Sequence, residues 1–187
     1  MIKIIKIETF VFRYPLRLPV KTSFGIMNNR PMVLVRVEDE HSNFGWGEIW
    51  CNFPDVGAEH RARLTESVIA PVILSKTFIN LEDVFSELTQ KTWILALQTG
   101  EYGPISQCIA GIDIAIHDMV AKINNVPIWK MLGGQSNKVK VYASGINPYQ
   151  ASEMGKLALD LGFQRLKLKI GFGKHVDLEN LEVLFGL

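Results

Sequence analysis

Hydrophobic and polar positions alternate through the first fifty residues and then recur at three- and four-residue steps, the signatures of half-buried strands and amphipathic helices. Met1 to about Arg13, rich in Ile, Val, Phe and Thr, predicts a first strand. A Pro- and Arg-containing loop is expected from Pro15 to Arg30. Val33, Val35 and Val37 then share one face of a second strand, Asp39 to Asn43 supplies turn residues, and Gly45 to Trp50 returns as a third strand. The chain therefore opens with a small antiparallel meander.

Helical patterns follow over roughly Gly57 to Leu74, with a break at Pro71, over Leu81 to about Leu97, and over Ile105 to about Ile123. In the last of these, Ile105, Cys108, Ile109, Ile112, Ile116, Met119 and Val120 form an apolar stripe. Asp113, His117 and Asp118 lie among or beside the stripe residues, where surface or interface hydrogen bonding is expected of them. Pro127 to Leu132 predicts a short helix stopped by Gly133-Gly134.

Beyond that point the pattern changes class. Val139 to Gly145 and Arg165 to Ile170 predict strands; Tyr149 to Leu161 and the stretch from Val176 onward predict helices. Such βαβα alternation implies parallel strands covered by helices, and a domain boundary is expected near Ser136 to Lys138. The chain stops at Leu187 some three turns into the last helix without a Gly, Pro or basic cap, so it reads as truncated.

Composition narrows the function classes. Hydrophobic residues make up 48% and charged residues 21% of the 187, and no apolar run approaches the ~18 to 20 residues of a membrane span. Twenty basic against nineteen acidic residues leave a net charge of +1, too balanced for a nucleic-acid binder. Lys3, Lys6 and Glu8 interrupt what would be the apolar part of a secretory signal, which points to the cytoplasm. Cys51 and Cys108 are single and far apart, and His41, His60, His117 and His175 show no ligand spacing. No metal is assigned to them.

The candidate chemistry sits in Arg165-Leu166-Lys167-Leu168-Lys169-Ile170-Gly171. On a strand, Lys167 and Lys169 share one face, and Leu166, Leu168 and Ile170 share the other. With helices over the apolar face, two ammonium groups turn inward, where they call for an anion. Mutual repulsion and desolvation would bring one of them toward the neutrality that a general base requires. Gly171-Phe172-Gly173-Lys174 lacks the phosphate-loop pattern and is expected to be a strand-to-helix turn.

Lys-Leu-Lys-Ile-Gly resembles the Lys-x-Lys motif of the mandelate racemase and muconate lactonizing groups of the enolase superfamily. Three further segments agree: Val33 to Glu48 with its Gly-Trp-Gly-Glu, Gly111 to Asp118, and Val126 to Gly134. The resemblance implies an α+β capping domain over residues 1–136, with a three-stranded meander plus helices. Residues 137–187 would begin a (β/α)8 barrel, represented by its first two βα units and left incomplete.

By the same resemblance Lys169 is the base that removes the proton α to a carboxylate, and Lys167 is its neighbour that lowers its pKa and holds the carboxylate. Two capping loops, about Leu18 to Met27 and Trp50 to Val56, would touch substrate, with Phe24, Trp50 and Phe53 as contacts. The family's Mg²⁺ ligands lie on the third to fifth barrel strands, so this chain by itself is expected to bind no metal; Asp177 and Glu179 read as helix-start residues. The implied reactions are racemisation, epimerisation or dehydration of a hydroxy or sugar acid through a Mg²⁺-stabilised enediolate. Muconate-type cycloisomerisation and dipeptide epimerisation are the alternatives. The partner is a small carboxylate, a homo-oligomer is expected at full length, and the 187 residues alone could be an inactive product.

Overall fold

The structure, a computed structural model, describes residues 1–23, 25–54 and 56–187. Two compact units make it up, one of Met1–Tyr14 with Arg30–Gln135 and the other of Pro15–Asn29 with Ser136–Leu187. Residues 15–29 therefore group with the C-terminal stretch, which no local pattern in the sequence announces.

Four strands, β1 (Ile2–Thr22), β2 (Gly25–Asp39), β3 (Phe44–Ile49) and β4 (Thr77–Phe78), form a sheet in the order β3-β2-β1-β4. The sheet thus carries one strand beyond the expected meander, antiparallel to β1 at Ile2↔Phe78 and Lys3↔Thr77. The loop expected over residues 15–30 is a second departure, because β1 and β2 run through nearly all of it. Pro15 and Pro19 suggest a break, but β4 accompanies β1 only at Ile2 and Lys3 among the described residues. Proline is tolerated in a strand wherever its nitrogen meets no ladder partner.

Residues of β2 pair with β3 in antiparallel register, Val35 opposite Gly47 and Val37 opposite Gly45. Val33, Val35 and Val37 are fully buried, as their alternation predicts. The face they present is covered by α4 (Tyr102–Ile123), whose Ile105, Cys108, Ile109, Ile112, Ile116 and Met119 are buried. Val120 is only partly so. Helix α4 starts three residues before the expected Ile105, because Pro104 falls in its first turn, where no backbone donor is needed.

Around α4 lie α1 (Gly57–Leu64), α2 (Ala70–Ile73) and α3 (Leu81–Thr99). Helices α1 and α2 are joined by a π-helical turn, Thr65–Ile69. The break expected at Pro71 takes this form: proline removes one donor and crowds the carbonyl four residues back, and the wider turn absorbs the mismatch. An Asn80–Asp83 capping box opens α3, which ends at Gly100 with φ 71°. A short α5 (Ile128–Met131) stops before Gly133, at φ 82°.

In the second unit β5 (Ala143–Ile146) leads through a 3-10 turn to α6 (Ala151–Asp160), and β6 (Leu166–Leu168) leads to α7 (Lys174–Phe185). The strands are parallel, with Ala143↔Leu166, Ser144↔Lys167 and Ile146↔Leu168 in register. Both are shorter than the expected Val139–Gly145 and Arg165–Ile170. The ladder slips between Ser144 and Ile146, where Gly145 has φ 91°, and each strand pairs on one side only among the described residues. A two-stranded ladder holds its ends weakly.

Candidate active site

The register of β5 and β6 places the two lysines. A Cβ added at Gly155 of α6 would lie 3.6 Å from Leu166 Cδ1 and 2.5 Å from Leu184 Cδ2, so Leu166 points to the side covered by α6 and α7. By alternation Lys167 faces the other way, opposite Ser144 and with Nζ 5.6 Å from the centre of the Tyr142 ring. Lys169 follows the last residue of β6, and its backbone N–H still donates to Ile146 O at 3.2 Å. Lys167 is exposed and Lys169 half-buried. No carboxylate lies within 4.0 Å of either ammonium group among the described residues.

The segments after the two strands are ordered by contacts the sequence did not reveal. Asp177 of α7 reaches back, its carboxylate accepting the N–H of Gly171 at 2.9 Å and of Phe172 at 3.2 Å. The expectation of a helix-start residue is therefore extended: Asp177 clamps the turn that follows Lys169. Tyr149, after β5, stands edge-on to Phe172 at 6.4 Å. Lys21, near the turn between β1 and β2, sets its Nζ 4.4 Å from the Tyr149 ring centre. A Cβ at Gly171 would meet Ser23 at 3.0 Å, and Gly171 itself has φ 102°. Lys21 and Ser23 thus lie against the segments that follow β5 and β6, within one unit. Asn147, directly after β5, keeps a buried Oδ1 that has no hydrogen-bond partner among the described residues.

Trp50 and Phe53 belong to the other unit. Trp50 is half exposed, and Asn52, with its amide oxygen turned toward the donors, accepts from Trp50 Nε1 and from Arg30, each at 3.3 Å. Phe53 is partly buried and engaged, and precedes a cis Pro54. Buried Arg61 donates from Nε to Gln107 at 3.0 Å and from a terminal nitrogen to Gly57 O at 3.2 Å, which fixes the base of this segment to α1 and α4. Phe24 lies outside the described residues, as does Asp55 of the second loop.

Other candidate groups are structural. Burial pushes the Cys108 thiol up to about 11 and raises that of Cys51, the opposite of what a nucleophilic thiol needs. Burial also raises the Asp113 carboxyl, against the opposing pull of His117; His117 Nδ1 lies 2.8 Å from the Asp113 backbone carbonyl. Asp118 accepts the backbone N–H of Trp46 at 2.8 Å and pairs with Lys122 at 2.6 Å. Among the described residues no three His, Cys, Asp or Glu side chains converge as a metal site, and Asp177 is engaged with backbone donors. These residues do not fit a Mg²⁺ cage.

Residues 5–133 match the sequence family described as mandelate racemase / muconate lactonizing enzyme, N-terminal domain. An N-succinyl-L-Arg/Lys racemase of Bacillus cereus is 24% identical over 97% of the chain and 48% of its own length. An arabinonate dehydratase of Saccharolobus solfataricus is 29% identical over 82% of the chain and 42% of its own length. Among solved structures, a mandelate racemase/muconate lactonizing enzyme from Bordetella bronchiseptica superposes with a TM-score of 0.87 at 43% identity, over 96% of the chain and 46% of that protein. The chain spans about half the length of the curated relatives it matches.

Proposed function

The chain belongs to the mandelate racemase / muconate lactonizing enzyme family, and on that footing we propose that it carries the capping domain and the first acid/base group of an enzyme that removes the proton α to a carboxylate. Lys169 is the base, and Lys167 is its cationic neighbour, which holds the substrate carboxylate. The observation that supports this is the orientation of Lys167, opposite Ser144 and turned away from the side where Leu166 meets α6 and α7; alternation would give Lys169 the same face. Two ammonium groups with no carboxylate within 4.0 Å among the described residues suit an anionic ligand.

The reaction is racemisation, epimerisation or dehydration of a hydroxy, acylamino or sugar acid; the relatives named above are a racemase of an acylamino acid and a dehydratase of a sugar acid. Trp50 and Phe53 are proposed as contacts that shape specificity, together with Phe24. A divalent cation would neutralise the enediolate formed on proton removal, and no cage for it exists among the described residues. We therefore also propose that the 187 residues by themselves turn over no acid.

Exchange of α-protons in deuterated buffer tests both parts. The experiment uses the chain alone and the chain fused to the remaining barrel strands of a relative, with a panel of N-acyl amino acids and sugar acids. Exchange is expected in the fusion only, and Lys169→Ala abolishes it. Exchange by the fusion that survives Lys169→Ala would remove the base from its role, and exchange by the chain alone would refute the second part.

A further inference from the structure

Strand β5 changes face before it ends. Ala143 pairs with Leu166 and Ser144 with Lys167, but the next pair is Ile146 with Leu168, so Gly145 and Ile146 together stand against one residue of β6, with Gly145 at φ 91°. Such a bulge reverses the sides taken by every residue after it. Without it Ile146 would share the side of Ser144; with it Ile146 takes the side of Leu168 and is only 2% exposed. Asn147 follows in extended backbone, φ −80° and ψ 144°, and is thereby turned to the side of Lys167. The register continues with Asn147 opposite Lys169, whose N–H donates to Ile146 O at 3.2 Å, and alternation would give Lys169 that same side.

The carboxamide that the bulge turns over is not used by the backbone. Asn147 holds the N-cap of the 3-10 turn Pro148–Gln150, where an Asn side chain ordinarily accepts from N–H groups of the turn, and it makes no such bond. Gln150 N–H donates to the Asn147 backbone carbonyl at 3.2 Å, and Asn147 N–H to Met154 Sδ at 3.4 Å. Oδ1 stays buried with no partner among the described residues. A buried acceptor left so has lost its hydration with nothing in return, which calls for a donor. Half-buried Lys169 on the adjoining strand is a donor with no carboxylate within 4.0 Å among the described residues.

We propose that Asn147 is the positioning residue of Lys169, its Oδ1 accepting a hydrogen bond from the ε-amino group and holding that group on the side of Lys167. The inference rests on the reading of Lys169 as the base. Neighbouring strands lie about 4.8 Å apart, a gap that a flexible four-carbon lysine stem and the broad terminal torsion of asparagine can span. A neutral carboxamide suits the task better than a carboxylate. It accepts N–H from an amine and from an ammonium alike, so the base can take up a proton and return it without leaving its place, whereas a carboxylate favours the charged form.

The test is the proton–nitrogen-15 spectrum of the lysine-labelled chain in the cold at mildly acidic pH, where the ammonium protons of solvated lysines exchange too fast to be seen and hydrogen-bonded ones persist. An ammonium cross-peak that disappears in Lys169→Arg is expected. It should be lost in Asn147→Ala, with the backbone amides of β6 unmoved, and return in Asn147→Asp, which keeps an acceptor. Should Asn147→Ala fail to fold, Lys169→Met gives the reciprocal reading, a moved carbon-13 shift of the Asn147 side-chain carbonyl. In the fusion with the remaining barrel strands, Asn147→Ala is expected to lower kcat for α-proton exchange by on the order of 10²-fold, the scale of a misplaced catalytic group, at unchanged KM. A Lys169 cross-peak absent from the native chain, or one that survives Asn147→Ala, overturns the proposal. So does a raised KM at unchanged kcat, which would put the carboxamide on the substrate. The two readings fail separately: exchange that survives Lys169→Ala removes the base whatever the spectrum shows, while a missing cross-peak with exchange abolished by Lys169→Ala keeps the base and removes its acceptor.

Discussion

At the scale of single residues, the tightest constraint in the molecule is the absence of three β-carbons. Side chains cannot exist at Gly45 and Gly47 because a Cβ would lie 2.0 Å from Ala115 O and 2.0 Å from Gly111 O respectively. From the other side, a Cβ at Gly111 would be 2.3 Å from Ile49 Cγ1. Strand β3 and helix α4 therefore touch backbone to backbone, and the Gly-Trp-Gly-Glu and Gly-Ile-Asp segments that carry the family resemblance are two halves of one contact. Because the obstructing atoms at Gly47 are main chain, no rotamer change relieves the overlap. Gly47→Ala is expected to cost about 3 kcal/mol or more, the upper end of overpacking, read as a lower midpoint in urea at unchanged slope. Gly103→Ala, which would meet nothing within 4 Å, should leave stability unchanged or slightly raise it; equal effects at the two sites would contradict the close-approach account.

Among the elements, much of the architecture could be read from periodicity, and what could not was long-range. The period-two valines of β2 and the stripe of α4 point at the same core, and both are buried. Proline misled at residues 15–30 because whether a missing donor matters depends on which strand lies alongside, and that is not written locally. That Lys167 lies on the face opposite Leu166 was visible; the device that orders the turn after β6 was not, because Asp177 is six residues from Gly171 in sequence and acts through a carboxylate-to-backbone contact. The same applies to Lys21 on Tyr149, which joins residues 128 positions apart and has no sequence signal. Asp177→Ala removes two charge-assisted hydrogen bonds, each contributing about 1.5–3 kcal/mol where the acceptor is charged and less here, since the site is largely open to water. Faster amide exchange is expected at Gly171 and Phe172, with the amides of β3 unaffected. Unchanged exchange at Gly171 would mean that the turn is held by something else. Asp177→Asn, which keeps an acceptor, should restore part of the protection.

For the molecule as a whole, the two units differ in what holds them. The first buries Ile4, Val33, Val35, Val37, Ile49, Ile69, Ile73, Leu88, Ile112, Ile116 and Met119 almost completely. In the second, the buried apolar residues among those described are Met27, Ile146, Pro148, Ala151 and Ala158, and α7 buries none. At roughly 25 cal/mol per Å² of apolar surface removed from water, a core of one Ile, one Met, one Pro and two Ala offsets little of the ordering cost of about 1–2 kcal/mol per residue. The second unit also concentrates positive charge, with nine basic and five acidic residues for a net +4. That suits attraction of a carboxylate, but the self-repulsion opposes compaction. Native-state hydrogen exchange should therefore divide along the unit boundary. Amides of β5, β6, α6 and α7 are expected to exchange through low-energy openings, and those of β2, β3 and α4 only near the global unfolding free energy. Because the destabilising charge is basic, a multivalent anion such as citrate should slow exchange in the second unit and leave the first unchanged. Uniform protection across both units would mean that the C-terminal strands share the stability of the capping sheet, and the small-core argument would then fail.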